Sequence, residues 1–156
     1  MDEIDRKLLA ELTRDAGQSY AALGAAVNLS PPAVHDRVKK LRRSGAVRAV
    51  QARIDPQAVG KTLLAFVHVD TRGWGKSPEL MDLGRLPEVE ELHSVTGDTC
   101  MLLKVRVADS EALEGLLSRL YAIEDVKATR SYVALSTYIE RPPQAEITRD
   151  LPFREA

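Results

Sequence analysis

The sequence is poor in the residues that build disulfide frameworks and metal sites. It has a single cysteine, Cys100, so it cannot form an internal disulfide and has too few thiols for a cysteine zinc site. The three histidines, His35, His68 and His93, lie far apart and form no ligand pair at helical spacing. We therefore predict no metal and no cofactor.

Long apolar runs are also missing. No run approaches the roughly 20 residues that span a bilayer, so no membrane partner is predicted. The first residues, Met1 to Asp5, lack the basic and apolar segments of a signal peptide, and the expected location is cytoplasmic. With 156 residues, 44% of them hydrophobic, the chain suits one medium or two small globular domains.

The charges are unevenly distributed along the chain. Residues 1–61 carry a net charge of +4 and residues 62–156 a net charge of -5. Within residues 30–53 there are seven basic side chains and a single acidic one, Asp36. A basic segment on an otherwise acidic chain is typical of a nucleic-acid contact surface. Charge alone leaves a solvated helix face as an equal alternative.

Three helices are predicted in the first 45 residues. Asp2 is placed to cap a helix with an apolar stripe, and Ser19 to cap a short second helix over Tyr20 to Val27. Asn28 tolerates the left-handed conformation that ends a helix. A turn is therefore expected after the second helix.

The third helix follows this turn directly. Ser30 is a good N-cap residue, and Pro31 suits the first helical position because its missing N–H would be unpaired there. The helix is predicted from Pro31 to about Arg43, with Gly45 ending it. Two short helices joined by a tight turn, with another helix before them, form the helix-turn-helix arrangement. The motif is placed at about residues 20–39.

The third helix has one apolar face and one polar, basic face. Such a helix fits the major groove of DNA, where its N-terminal half reaches base edges and its basic side chains meet phosphates. His35 and Asp36 are the predicted base readers, while Arg37 either contacts DNA or braces the fold through a carboxylate of the first helix. A three-helix bundle that binds a protein is the competing interpretation. The predicted DNA-binding residues are Ser30, Pro32, His35, Asp36, Arg37, Lys39, Lys40, Arg42 and Arg43.

The segment after the third helix predicts a domain boundary. Its β-branched content indicates a short strand over Val47 to Ile54, which Asp55-Pro56 breaks. We place the helix-turn-helix domain at residues 1–54 and a linker at 55–61. The elements predicted after the linker are a strand at 62–71, a loop at 72–76, a helix from Pro78, strands at 89–96 and 100–107, a helix from Asp109 and a strand within 126–139.

This order, β-α-β-β-α-β, is that of the ferredoxin-like unit. The predicted fold class is thus α+β: a winged or three-helix helix-turn-helix domain, a ferredoxin-like sensing and dimerisation domain at 62–140, and a tail at 141–156. Both helices should cover one face of the sheet. The other face is expected to be too apolar to remain in water, so two sheets should pack face to face in a dimer. It is predicted to carry Tyr132, Ala134, Ser136 and Tyr138, or their alternates.

With both halves interpreted, the sequence resembles the Lrp/AsnC, or feast/famine, family of transcription regulators. The resemblance extends from Ile4 to about Ile139, and it depends on the order and spacing of several short motifs rather than on any one of them. These motifs are Ile4 to Leu9, Leu29 to Val38, Leu41 to Val47, Ile54-Asp55-Pro56 with Gly60, Pro87-Glu88-Val89, and Val95 to Asp98.

The resemblance implies a regulator that binds double-stranded DNA as a homodimer, often assembled into larger rings such as octamers. It also implies that an amino acid or related metabolite binds between sensor domains, near the turn between the second and third strands. The positions that match this effector site are Leu92, Val95, Gly97, Asp98, Thr99, Cys100, Thr129 and Ser131.

One position departs from the family pattern. Members commonly have an aspartate where this chain has Cys100, and a carboxylate there is suited to hold the amino group of an effector. Three explanations stay open: the ligand is not a simple amino acid, Asp98 takes over the role, or no effector is needed. A redox role for the thiol is a further alternative to simple packing.

Two other functional classes compete with a sequence-specific regulator. An architectural protein would wrap DNA with little sequence preference and need no effector. An enzyme is disfavoured, because the sequence offers no nucleophile–base pair, no paired carboxylate motif and no glycine-rich phosphate loop. The Gly73-Trp74-Gly75 stretch is too short a signal to count as such a loop.

Overall fold

The computed structural model describes residues 1–73 and 77–145, which divide into two compact units. Residues 1–52 form the first unit, with which residues 139–145 are grouped, and Arg53–Tyr138 form the second. Trp74 to Lys76 of the predicted loop, and the predicted tail beyond residue 145, lie outside the described residues. Among the helices of the described part, none is long and apolar enough to cross a membrane.

The first unit contains the three predicted helices. They are α1 (Glu3–Arg14), α2 (Tyr20–Val27) and α3 (Pro31–Arg43). Asp2 caps α1 by accepting the Asp5 N–H, and Ser19 caps α2 by accepting the Ala22 N–H, as predicted. The helices enclose a core of fully or nearly fully buried side chains: Leu8, Leu23, Val27, Val34, Val38 and Leu41.

The turn between α2 and α3 depends on Asn28, which adopts a left-handed conformation, and on Gly24, which has no side chain. Asn28 has φ 56° and ψ 47°, which confirms the predicted left-handed conformation. Gly24 faces the turn so closely that a Cβ atom there would overlap the carbonyl oxygen of Leu29. Ser30 occupies the N-cap position of α3, but its hydroxyl makes no capping hydrogen bond. Its backbone carbonyl instead accepts the N–H of Val34 at 3.0 Å.

The strand predicted over Val47 to Ile54 is wrong. The Val47 N–H donates to the Leu41 carbonyl at 3.2 Å, so the chain folds back onto the end of α3. Val50 and Ile54 are exposed, and this segment pairs with no strand in the described part of the chain. An extended segment needs a hydrogen-bonded neighbour to become a strand, whatever its β-branched content. The helix-turn-helix unit is therefore of the three-helix kind, without a wing strand in the described residues.

The second unit confirms the ferredoxin-like prediction. Its elements are β1 (Leu63–Thr71), α4 (Pro78–Asp82) continued by a 3-10 turn (Leu83–Arg85), β2 (Val89–Ser94), β3 (Met101–Val107), α5 (Ser110–Tyr121) and β4 (Val126–Val133). The strands form one antiparallel sheet in the order β2-β3-β1-β4. Alternate residues of β1 and β3 point toward the helices. They form the core with helix residues: Ala65, Val67, Val69, Met101, Leu103, Val105, Val107, Leu80, Leu113, Leu116 and Leu120.

The opposite, open face of the sheet differs from the prediction in two ways. Strand β4 ends at Val133, so Tyr132 lies on this face while Ala134, Ser136 and Tyr138 lie beyond the strand. The Ala134 N–H still donates to the Leu64 carbonyl at 2.9 Å, but β1 begins at Leu63, so Ser136 and Tyr138 extend past its end and have no residue of β1 opposite them. The open face is also not uniformly apolar, because it carries a network of ion pairs that joins β2 to β3 and β1 to β4.

Candidate DNA-binding surface and effector site

Helix α3 presents two opposite faces. With about 100° between successive residues, Val34, Val38 and Leu41 face the core, where all three are buried. The other side of the helix and its N-terminal end are exposed to solvent. They carry eight of the nine residues predicted to bind DNA: Ser30, Pro32, His35, Asp36, Lys39, Lys40, Arg42 and Arg43.

The four cations of this surface, Lys39, Lys40, Arg42 and Arg43, are here called the basic face. Within the residues that the structure describes, none of them has a carboxylate partner. Cations held together on a solvated helix without counter-charges attract a polyanion. Part of the basic face borders a shallow, open concavity of about 550 Å³, lined by Asp36, Lys39, Lys40, Arg43 and Ser44.

The predicted base reader His35 contacts two neighbouring side chains. The rings of Tyr20 and His35 form a T-shaped contact with 5.3 Å between ring centroids. The Nδ1 atom of His35 lies 3.5 Å from the Asp36 carboxylate. Sequence reasoning missed Tyr20, although the tyrosine stands at the first position of α2, directly after the capping serine. His35 thus has a defined orientation while its side chain stays half exposed.

Arg37 differs from the other predicted DNA-binding residues. Its Nη1 atom lies 2.7 Å from the Asp2 carboxylate and 2.7 Å from the Asp5 carboxylate. The two hydrogen bonds raise the pKa of Arg37. The pKa of Asp2 is lowered, first by the hydrogen bond from the Asp5 N–H and then by Arg37. The geometry is that of the brace to the first helix, one of the two roles predicted for this arginine.

The turn between β2 and β3 holds five of the eight effector candidates: Val95, Gly97, Asp98, Thr99 and Cys100. The Val95 N–H and the Cys100 carbonyl close the turn with a 3.1 Å hydrogen bond, and Gly97 adopts a φ of 126° that side chains disfavour. The hydroxyl of Thr99 is buried and donates to the Val69 carbonyl at 3.2 Å. Asp98 is almost fully exposed. The turn is thus closed by a backbone hydrogen bond, and its one carboxylate, that of Asp98, lies mostly in solvent with the Nη2 atom of Arg130 3.9 Å away.

An arginine that sequence reasoning missed joins this turn to the edge strand. Arg130 of β4 donates to the Asp98 carbonyl at 3.2 Å and to the Asp70 carboxylate at 3.0 Å. Its neighbour Thr129 directs both its N–H and its hydroxyl toward the phenolic oxygen of Tyr121, each at 3.1 Å. These hydrogen bonds lower the pKa of Tyr121. No local sequence signal connects Tyr121 of α5 with a strand eight residues later.

Cys100 is half-buried and directly precedes β3. Hydrogen bonding to the side chain and backbone of Thr71 lowers the pKa of its thiol. The thiol therefore has a partner within its own sheet. It supplies no formal charge at the position where a carboxylate would hold an amino group.

The remaining candidates do not meet within one chain. Leu92 and Ser131 stand in one row across the sheet, with Leu103 and Val67 between them. Three strand spacings separate the two residues, or about 14 Å. Leu92 lies on one edge strand and Ser131 on the other, so a single small ligand cannot touch both in the same chain.

Two family models match the chain, one over the three helices and one over the sheet and its helices. The AsnC-type helix-turn-helix domain matches residues 1–42, and the Lrp/AsnC ligand binding domain matches residues 64–144, more than half of the chain. The chain belongs to the Lrp/AsnC family of transcription regulators. The first model covers α1, α2 and nearly all of α3, and the second covers the sheet except for Leu63, the first residue of β1.

Individual relatives extend the Lrp/AsnC match over nearly the full length. The HTH-type transcriptional regulator FL11 of Pyrococcus horikoshii is 32% identical, over 99% of this chain and 97% of the relative. The regulator LrpA of Mycobacterium tuberculosis is 38% identical, over 88% of this chain and 92% of its own length. Among solved structures, the M. tuberculosis feast or famine regulatory protein complexed with L-methionine has a TM-score of 0.82 and 38% identity, and covers 89% of this chain and 95% of its own.

Proposed function

We propose that this Lrp/AsnC protein is a sequence-specific regulator that acts in the cytoplasm as a homodimer, with its reading domain at residues 1–54 and its sensing and dimerisation domain at 62–140. The observation that carries the proposal is the basic face, whose cations are exposed and lack carboxylate partners in the described residues. A dimer brings two such helices to half-sites about one helical turn of DNA, or 34 Å, apart.

The exposed residues divide into two roles along α3. His35 and Asp36, with Ser30 and Pro32 beside them, occupy the N-terminal half and face base edges. The cations of the basic face follow in the C-terminal half and contact phosphates, which sets affinity rather than sequence preference. Pro31 and Pro32 have no backbone N–H, so this helix start offers few main-chain donors to a phosphate. Side chains therefore do most of the binding.

Selection from a pool of random DNA duplexes tests this proposal. The selected duplex should bind at least about 10³-fold more tightly than random duplex at the same salt concentration. Its sequence should contain two related half-sites, because a symmetric dimer reads a pseudo-palindrome. A ratio near one, with strong binding to every duplex, would instead establish the architectural, DNA-wrapping alternative.

We further propose that the second domain binds an amino acid or a related small metabolite at the turn between β2 and β3. Asp98 is almost fully exposed there and offers a negative charge to the amino group of an amino acid. Leu92 and Ser131 lie on opposite edges of the sheet, so one small ligand contacts both only if the two residues come from different chains. The feast or famine relative of M. tuberculosis was solved with L-methionine, which makes that amino acid the first to test.

A thermal-shift measurement with L-methionine and the other amino acids tests the effector proposal. A ligand that binds the folded state raises the melting temperature by mass action, by an amount that grows with its concentration. The Cys100→Asp variant should respond more strongly, because it restores a carboxylate for the amino group. The absence of any shift in both proteins would contradict the effector proposal and leave the DNA-binding proposal intact.

A further inference from the structure

Three side chains at the start of the chain form a closed network with the middle of α3. Asp2 and Asp5 form a reciprocal capping box at the start of α1: each backbone N–H donates to the other's carboxylate, at 3.2 and 2.8 Å. Each carboxylate uses its remaining oxygen for Arg37, at 2.7 Å in both cases. Every carboxylate oxygen therefore has a donor, and Arg37 bridges both residues of the cap.

The network lies where the hydrophobic packing is sparse. Helices α2 and α3 together contribute five buried side chains to the core of this unit, whereas α1 contributes only Leu8. The other apolar residues of α1, such as Ile4 and Leu12, are only partly buried. A single buried leucine fixes the distance between two helices better than it fixes their rotation. The ion pairs of Arg37 provide a second point of attachment between α1 and α3.

The same network sets how α3 faces outward. Arg37 stands at the border of the buried face of α3, one turn from Val34 and Leu41 along the helix. It follows His35 and Asp36 directly in sequence, so a rotation of the helix about its axis moves the base readers and Arg37 together. Base readout depends on hydrogen bonds of good geometry at the groove floor, which a small rotation disrupts.

We infer that Arg37, Asp2 and Asp5 form a positioning cluster, which orients α3 for sequence discrimination without touching DNA. The inference rests on the proposed function and assigns Arg37 a role different from that of the basic face. It also gives the two acidic residues at the start of the chain a part in DNA recognition. Electrostatics alone predicts instead that removing these two carboxylates strengthens binding to every duplex, because an acidic side chain near a polyanion weakens binding.

The double variant Asp2→Asn, Asp5→Asn separates these two expectations through the ratio of specific to random affinity, which electrostatics alone leaves unchanged. Asparagine is as good an N-cap residue as aspartate, so α1 keeps its start while Arg37 loses both ionic partners. We expect affinity for random duplex to stay within about twofold of wild type or to rise. We expect the ratio of specific to random affinity to fall about tenfold, comparable to one lost base contact. An unchanged ratio would overturn the inference.

Variants of Arg37 test whether it touches phosphates. Each phosphate contact that is lost reduces the slope of log affinity against log salt concentration by about 0.9. Arg37→Gln should lower the specificity ratio and leave this slope unchanged, whereas Lys40→Gln, the matched control on the basic face, should lower the slope and spare the ratio. Arg37→Lys should recover part of the specificity, since one ion pair remains possible. A reduced slope for Arg37→Gln, equal to that of Lys40→Gln, would overturn the inference.

The specificity ratio of the wild-type protein distinguishes failure of the proposed function from failure of the positioning role. If wild type does not discriminate its selected site from random duplex, the proposed function fails, and the positioning role fails with it. If wild type discriminates and the double variant does so equally well, only the positioning role fails. Far-UV circular dichroism at the binding temperature confirms that each variant is folded. The single Asp2→Asn variant, at a half-exposed position, repeats the test where the double variant is not folded.

Discussion

The basic face of α3 and the open face of the sheet are both rich in arginine and lysine, but they treat these charges differently. On the sheet, Lys104 lies 3.1 Å and Arg106 2.7 Å from Glu90, while Arg130 lies 3.0 Å from Asp70. On α3, the cations of the basic face have no such partner among the residues described. Arg37 is the exception on the helix, and it is paired like the arginines of the sheet.

The difference distinguishes cations that form ion pairs within the fold from cations that are available to bind a partner. A cation paired with a neighbouring carboxylate is already neutralised, and an external anion gains little by approaching it. An unpaired, solvated cation gives up only water and counterions when it meets a phosphate. The exposed state of the basic face is therefore a better indicator of DNA contact than the number of basic residues in the sequence.

The largest effect is expected from removing three cations of the basic face. In the triple variant Lys39→Gln, Lys40→Gln, Arg43→Gln, we expect DNA affinity at about 0.1 M salt to fall by roughly 10²–10³-fold, because three phosphate contacts are lost. Fluorescence anisotropy of a labelled duplex at several salt concentrations measures this change. The control is Lys104→Gln on the sheet, which should leave DNA affinity unchanged. Equal losses of affinity in the two proteins would contradict the distinction between the unpaired cations of α3 and the paired cations of the sheet.

The next effect concerns stability, and it compares one glycine from each unit. Gly24→Ala places a methyl group against the Leu29 carbonyl, which should destabilise the helix-turn-helix unit by about 1–3 kcal/mol. Gly115 lies in α5 with open space around it, so Gly115→Ala should stabilise the second unit by up to about 1 kcal/mol. Chemical denaturation of both variants measures the two free energies of unfolding. A Gly24→Ala protein as stable as wild type would show that the turn adapts more readily than its geometry implies.

A smaller effect is expected at the base reader His35. Replacing it with alanine removes a side chain from the reading half of α3 but leaves the cations in place. We expect the selected DNA sequence to become degenerate at one position of each half-site, while affinity for random duplex changes by less than about threefold. Repeating the site selection with the variant measures this. Recovery of the wild-type sequence preference would exclude His35 as a reader.

The smallest effect is a pH dependence of the paired charges on the sheet. The hydrogen bond from His93 is the main cause that lowers the pKa of Glu91, with Lys104 adding to it. A carboxylate whose pKa is lowered in the folded state adds stability above its unfolded value, and this is lost as the pH falls through the folded pKa. Because both side chains are half exposed, we expect the loss in acid to be below about 1 kcal/mol. Glu91→Gln should flatten this part of the stability curve, and an identical curve would contradict the assignment.

The sequence was sufficient for those features that depend on neighbouring residues. The caps Asp2 and Ser19, the left-handed Asn28 and the periodicity of α3 are local, and the structure confirms each of them. The strand predicted at 100–107 likewise matches β3 to within one residue. These features carry the fold class and the exposed position of the basic face.

Features that depend on distant partners could not be predicted in the same way. The β-branched residues of Val47 to Ile54 indicated a strand, but whether a strand forms depends on a neighbour that local composition does not reveal. The choice between a brace and a DNA contact for Arg37 was left open, because Asp2 and Asp5 are more than 30 positions away. Tyr121 was missed for the same reason: only the folded sheet brings Thr129 to it.

The account depends most directly on the basic face lying against DNA. Acetylation of lysine amines with and without the selected duplex, followed by mass spectrometry, measures this for each lysine. We expect bound duplex to protect Lys39 and Lys40 strongly, and to leave Lys127, which is exposed on β4, as reactive as before. Equal reactivity of Lys39 and Lys40 in the free and DNA-bound protein would contradict the account.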